Sequence, residues 1–154
     1  MTLLRRPVLV ALLLAVAAQL LFSWGVTTPS SLVFDETHYV PAARTLLALE
    51  RPANTEHPLL GKTIIAAGIA MFGDTALGWR ACSTLAGTAT VAGVFAILWL
   101  LFGSVRTAAA GAAFAAINGT LFIQARIAML DVFMGAFVTL AIAALLWAMR
   151  GPPE

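Results

Sequence analysis

Apolar runs nearly free of charge extend from Pro7 to Val26, Ala81 to Phe102, Thr107 to Gln124 and Met129 to Met149. Each is close to the roughly 20 residues a helix needs to cross a bilayer. The pattern predicts an all-α fold: a polytopic membrane helix bundle of about four spans. Gly103-Ser104-Val105-Arg106 reads as a short turn between the second and third runs. Arg150-Gly151-Pro152-Pro153 ends the last one. Arg5 and Arg6 precede the first run, a pattern shared with cleaved signal peptides. A signal peptide's apolar region usually has about 7–15 residues, so the longer run here favours a retained span.

Residues 27–80 break the pattern and form the main polar loop, expected to carry short interfacial helices. Thr37 is placed to cap a helix from His38 to Leu49, with Pro41 in its first turn, where a missing N–H costs little. Val40, Ala43 and Leu47 would share one face, suited to lying on the membrane surface. Arg51-Pro52-Ala53-Asn54 ends that helix. Leu59 to Phe72 is apolar but too short to span comfortably, and reads as interfacial or re-entrant.

Composition agrees with this picture. The 154 residues are 61% hydrophobic and 10% charged. A soluble domain carries about 25% charged residues, so few could not cover a globular surface. The net charge of +2 is scattered, with no basic stripe carrying interleaved aromatics, which argues against nucleic-acid binding. Cys82 is the single cysteine, so no internal disulfide and no cysteine metal spacing exist. It reads as a small packing residue. No second domain, repeat or linker is visible, and residues 1–154 read as one membrane unit. Arg5, Arg6, Arg106 and Arg150 fall on one side of a four-span arrangement, which should be cytoplasmic. The polar loop and Gln124-Ala125-Arg126 then share the opposite side.

The candidate chemistry lies on that opposite side. A carboxylate near a dry membrane surface is costly without a partner or a task. Asp35 and Glu36 are adjacent and point about 100° apart on a helix, so they do not make a facing acid/base pair. One is expected to face a site while the other holds the loop or helix start; the competing reading is a solvated acidic loop. In His57-Pro58-Leu59-Leu60-Gly61-Lys62, proline fixes the backbone beside the histidine and glycine permits close approach. Lys62 is either a site cation or an anchor that snorkels to headgroups. Gly78-Trp79-Arg80 opens the second run and fits an interfacial aromatic with a cationic anchor. Arg126 and Asp131 are separated by about 140° around a helix axis, a poor angle for a mutual salt bridge. Each therefore needs another partner, and Asp131 also suits a helix start. Asn118-Gly119-Thr120 matches a glycosylation acceptor but lies inside the third run. Together Asp35, Glu36, His57, Lys62, Arg80, Arg126 and Asp131 could bind an anionic headgroup and deprotonate a hydroxyl.

At these residues the chain resembles the dolichyl-phosphate-mannose–protein mannosyltransferases and their bacterial polyprenyl-phosphate-dependent relatives. The stretches that carry the resemblance are Phe34-Asp35-Glu36-Thr37-His38-Tyr39, His57 to Lys62, Phe72-Gly73 with Gly78-Trp79-Arg80, and Ala125-Arg126-Ile127-Ala128-Met129-Leu130-Asp131, in that order. From Leu32 onward it covers nearly the whole chain. Leu59 stands where the family often has a second proline. Family members are several times longer, so the chain is expected to be the N-terminal part of a GT-C glycosyltransferase.

The resemblance implies an enzyme that moves a sugar, mannose by family, from a polyprenyl-phosphate carrier to an acceptor hydroxyl, inverting the sugar carbon. Asp35 takes the place of the catalytic base and Glu36 that of its structural neighbour in the catalytic motif. His57, Lys62, Arg80, Arg126 and Asp131 are the expected substrate-binding residues, with Arg126 handling the donor. No cofactor and no metal are expected. The implied partners are the lipid-linked donor, a protein, lipid or glycan acceptor, and membrane lipid. The implied location is the bacterial inner (plasma) membrane, with the active-site loop non-cytoplasmic. The rivals are a non-catalytic membrane subunit and a small transporter. The transporter is disfavoured because the charges lie at a face rather than at mid-membrane.

Overall fold

A computed structural model describes residues 6–150, which are helical throughout their regular structure, with no strand among them. Arg5 and Gly151-Pro152-Pro153, to which the sequence assigned an anchor and a stop, lie outside the described residues. The helices are α1 (Pro7–Ser23), α2 (Glu36–Leu47), α3 (Leu59–Phe72), α4 (Ala76–Phe102), α5 (Val105–Ala116), α6 (Gly119–Gln124) and α7 (Leu130–Met149).

Two of these, α4 and α7, are long and apolar enough to cross a membrane, and α1 and α3 are shorter apolar helices. Only 33% and 22% of the most apolar windows of α4 and α7 are buried within the chain. Met134, Val138, Leu145 and Trp147 of α7, and Val8, Leu12, Val16 and Leu20 of α1, face outward. A helix at the core of a soluble domain would bury its apolar surface. Here that surface is left for lipid or for further protein, as in a membrane helical protein.

The passes α1, α4, α5–α6 and α7 alternate in direction. Gln19 near the end of α1 meets Thr84 near the start of α4, and Pro7 and Val8 share an apolar hollow with Phe95 and Trp99. α1 and α4 are therefore antiparallel. Leu98 approaches Gly111 while Gly87 approaches Ala125, so α5 and α6 also run against α4. Thr90 lies by Gly135, Gly93 by Thr139, and the Leu100 carbonyl accepts from Arg150, so α7 runs parallel to α4. Arg106 and Arg150 thus share one end of the bundle. Residues 24–80 and the turn before α7 occupy the other.

Small and polar residues hold the bundle, as is usual where lipid supplies little hydrophobic drive between helices. Gln19 Nε2 donates to Thr84 Oγ1 at 2.9 Å, and Thr88 Oγ1 donates to Gln19 Oε1 at 2.8 Å. This ladder and the fully buried Phe22 pack α1 along α4. The tight turn between α3 and α4 depends on Gly78, where an added Cβ would stand 2.0 Å from the Gly73 carbonyl oxygen.

Several boundaries differ from the sequence expectation. The first run stops being helical at Ser23, and Gly25 takes a left-handed φ of +63°. α4 starts at Ala76, so Trp79 and Arg80 lie inside the helix rather than at its mouth. The expected third span is broken: α5 ends at Ala116, and the Asn118 side chain caps α6 by accepting from the Leu121 N–H. α2 begins at Glu36, which moves Pro41 past the first turn. Thr37 is not its cap, since its hydroxyl donates to the Phe34 carbonyl instead. The expected membrane-facing stripe of α2 is mostly internal: Val40 and Ala43 are fully buried and only Leu47 is exposed. α3 spans Leu59–Phe72 as the pattern predicts.

Candidate active site

Glu36 and Arg80 lie at the centre of the polar end. Arg80 Nε donates to Glu36 Oε1 at 2.7 Å and Nη2 donates to Oε2 at 2.8 Å, with both side chains removed from solvent. The remaining groups are also occupied. Arg80 donates to the carbonyls of Val26, Pro29 and Ser31, while Glu36 accepts from the backbone N–H groups of Val33 and Ala128. A buried charge pair is tolerable only with such saturation. It ties the loop after α1, the start of α2, the α4 helix and the turn before α7 into one body.

With Glu36 pointing inward, the neighbouring Asp35 points elsewhere. It is half-buried and borders a cavity of about 540 Å³ between α2, α3 and α7. Tyr39 and His57 form its polar wall together with Asp35, and Pro58 adjoins them. Asp131 enters from the first turn of α7. Leu60 of α3 and Phe133, Met134, Phe137 and Val138 of α7 continue it as an apolar floor. Gly61 lets α3 close against α7 at the floor, since a Cβ there would come within 2.7 Å of Leu130 Cδ2. A second hollow of about 230 Å³ adjoins, lined by Asp35, His38, Tyr39, Asn54, Glu56 and His57. Tyr39 is buried, with its ring edge-on to His57 at 5.5 Å between centroids. Burial, then the nearby charges of Asp35, Asp131 and Glu56, push its hydroxyl above the ordinary tyrosine pKa.

The cations stand apart from this cavity, and neither hollow is lined by lysine or arginine. Lys62 is buried, and its ammonium donates to the carbonyls of Asn54 and His57, the latter at 2.9 Å. It holds the 54–57 loop and so presents His57 to Tyr39. Arg126 is half-buried, with its guanidinium 4.7 Å from the Phe122 ring and its Nη2 facing Gly25. No acid pairs with it among the described residues. The structure therefore sorts the sequence candidates into groups. Asp35, His57 and Asp131 meet in one cavity. Glu36 and Arg80 are locked together outside its lining, Lys62 staples its loop, and Arg126 also lies outside the lining.

Tyr39 entered the sequence reading only within a matching stretch, and the Asp74 cluster not at all. Arg44 Nε donates to Asp74 Oδ2 at 2.9 Å and Nη2 donates to Oδ1 at 3.0 Å, while Trp79 Nε1 donates to Oδ1 at 2.6 Å. These hydrogen bonds from Arg44 and Trp79 hold the Asp74 carboxyl below its ordinary pKa. The cluster fastens the end of α2 to the α3–α4 turn and so fixes the helix that carries Tyr39. The only sequence signal was an acid next to Thr-Ala at a helix start. No group of His, Cys, Asp and Glu suited to a metal ion occurs among the described residues.

The sequence profile of dolichyl-phosphate-mannose-protein mannosyltransferases matches residues 56–152, more than half of the chain and including His57, Arg126 and Asp131. The chain belongs to this family. A polyprenol-phosphate-mannose–protein mannosyltransferase of Corynebacterium glutamicum is 34% identical over 132 residues, 78% of this chain and 25% of that protein. A protein of the same name from Mycobacterium tuberculosis is 34% identical over 140 residues, 87% of this chain and 27% of the relative. One from Mycolicibacterium smegmatis is 32% identical over 120 residues, 74% of this chain and 23% of the relative. The chain thus spans about a quarter of the length of the curated relatives it matches. No solved structure gave a significant match.

Proposed function

We propose that this chain is the N-terminal membrane part of an enzyme that transfers mannose from a polyprenyl-phosphate carrier to a hydroxyl of a protein acceptor. The observation that carries the reading is the Asp35 carboxylate. Without a hydrogen-bond partner among the described residues, it borders a cavity whose polar wall runs into an apolar floor along α7. A lipid-linked sugar has the same division between a polar head and an apolar tail. The relatives' names give the sugar and the acceptor class.

In this reaction Asp35 removes the acceptor hydroxyl proton as the oxygen attacks the anomeric carbon. A new carbon–oxygen bond forms and the bond from that carbon to the phosphate oxygen breaks. The electron pair leaves with the polyprenyl phosphate, and the anomeric configuration inverts. His57 and Asp131 contact the head of the donor or acceptor. Arg126 neutralises the phosphate from outside the polar wall. Glu36, Arg80 and Lys62 act through the architecture: their polar groups are committed to the loops that hold Asp35 and His57. In the membrane the chain crosses four times, through α1, α4, the broken α5–α6 pass and α7. The Arg106 and Arg150 end is cytoplasmic, and the cavity opens on the opposite side of the bacterial plasma membrane.

The test is Asp35→Asn in a full-length context, assayed with lipid-phosphate mannose and a protein acceptor. Transfer per folded molecule should fall by about 10²–10⁴-fold, the usual worth of general-base catalysis. Turnover at the parent rate would overturn the assignment of Asp35 and favour a non-catalytic role for the loop.

A further inference from the structure

We infer that Tyr39 is a sugar-binding residue, its phenol donating a hydrogen bond to a hydroxyl oxygen of the hexose held beside Asp35. The inference rests on the reading of this cavity as the transfer site. It begins from an unused polar group. Tyr39 is only 7% exposed and borders both the 540 Å³ and the 230 Å³ hollows, yet its hydroxyl makes no hydrogen bond to any described residue. The phenol stands at the wall of both hollows with its donor uncommitted, so it is free to meet a ligand held there.

The surroundings indicate the kind of ligand. The titratable groups that border the two hollows beside Tyr39 are Asp35, His38, Glu56, His57 and Asp131, and neither lining holds lysine or arginine. A phosphate beside Tyr39 would meet carboxylates without a countercharge, so it is the sugar of the donor and not its phosphate that fits this part of the wall. A neutral polyol fits better: its O–H groups donate to the carboxylates, and its oxygens accept from a phenol. Tyr39 supplies that donor reliably, because burial and the adjacent acids favour its protonated form. Its position is also fixed in advance. The ring edge rests against His57, and α2 is pinned at its start by Glu36 and near its end by Arg44. A donor fixed this way loses little freedom on binding.

The experiment uses Tyr39→Phe in a full-length context, with mannosyl donors that each lack one sugar hydroxyl. Phenylalanine keeps the ring and its contact with His57, and no intramolecular hydrogen bond is lost, so folded yield should not change. The donor KM should rise roughly three- to tenfold, the worth of one neutral hydrogen bond. One deoxy donor should cost the parent a similar factor and cost Tyr39→Phe nothing further, because the partner atoms are then removed as a pair. An unchanged donor KM overturns the inference, as do losses that multiply for every deoxy donor. A change confined to the acceptor KM also overturns it and places the phenol against the acceptor hydroxyl. If the parent transfers mannose, Asp35→Asn does not, and Tyr39→Phe behaves as the parent, this inference fails while the proposed function stands. If the parent transfers no sugar from this donor, both fail.

Discussion

Glu36 and Arg80 form a fork-to-fork ion pair with both side chains out of contact with solvent. Their partners show that it is a joint between segments. Arg80 gathers loop carbonyls from residues 26–31, and Glu36 reaches the N–H of Ala128 near the start of α7. Asp35 and Asp131 come to one cavity because this pair brings their segments together.

Removing one partner leaves a buried charge without compensation, which costs about 3–5 kcal/mol. Arg80→Met and Glu36→Gln should therefore both lower the thermal unfolding temperature and the folded yield in detergent. Asp35→Asn, at the next position but bordering the cavity, should stay within about 0.5 kcal/mol of the parent. Differential scanning fluorimetry on the three variants separates the roles. An Arg80→Met protein as stable as the parent would show that the joint is not needed.

The outline of this arrangement is legible in the sequence. Apolar runs locate α3, α4 and α7 within a few residues, and the polar residues Asp35, His57 and Asp131 that the sequence singles out border one cavity. The partners of the buried charges were not legible. Glu36 and Arg80 are 44 positions apart, and Arg44 and Asp74 are 30 apart, so no local spacing rule connects them. Composition leaves Lys62 as either a site cation or a snorkelling anchor, whereas its ammonium turns back to two loop carbonyls. The third apolar run concealed a break because Asn118 is uncharged and leaves mean hydropathy high. Its side chain nevertheless competes with the backbone and starts a new helix.

Arg126 has a guanidinium stacked on Phe122 and no acid partner among the described residues. If it holds the donor phosphate, Arg126→Ala should raise the donor KM in a full-length context by about 10-fold or more, as a charge-assisted contact is lost. Arg126→Lys should recover only part of this, because a point charge replaces a planar fork. Unchanged donor affinity in Arg126→Ala would leave the residue as an interfacial anchor.

Asp74 makes its contribution through a depressed pKa. The cluster with Arg44 and Trp79 should stabilise the protein fully above the unfolded carboxylate value of about 3.9. That contribution is lost as pH falls through the lower folded value. Both members of the ion pair are substantially exposed, so the effect should be modest and should shrink with salt. Unfolding temperatures of the parent and Asp74→Asn should differ at neutral pH and converge in acid. A constant gap from neutral to acid would show that the contribution of Asp74 does not come from its ionised carboxylate.

Tyr39 is the only tyrosine in the chain, so ultraviolet absorbance of tyrosinate reports on it alone. Desolvation disfavours the phenolate, and the carboxylates of Asp35, Asp131 and Glu56 disfavour it further. Titration of the folded chain in detergent should therefore have its midpoint above the ordinary tyrosine value of about 10. The linkage runs opposite to that of Asp74. A raised folded pKa contributes stability below the unfolded value and loses it as pH rises through the folded one. Asp35→Asn should move the midpoint down towards the ordinary value, and Asp131→Asn should move it less, following the order of their influence. Glu50→Gln, outside both cavity linings, serves as the control and should leave it in place. The three variants together test whether the acids that converge on Tyr39 do so in the folded protein. A midpoint that ignores Asp35 would separate the two residues and dissolve the cavity as a common site.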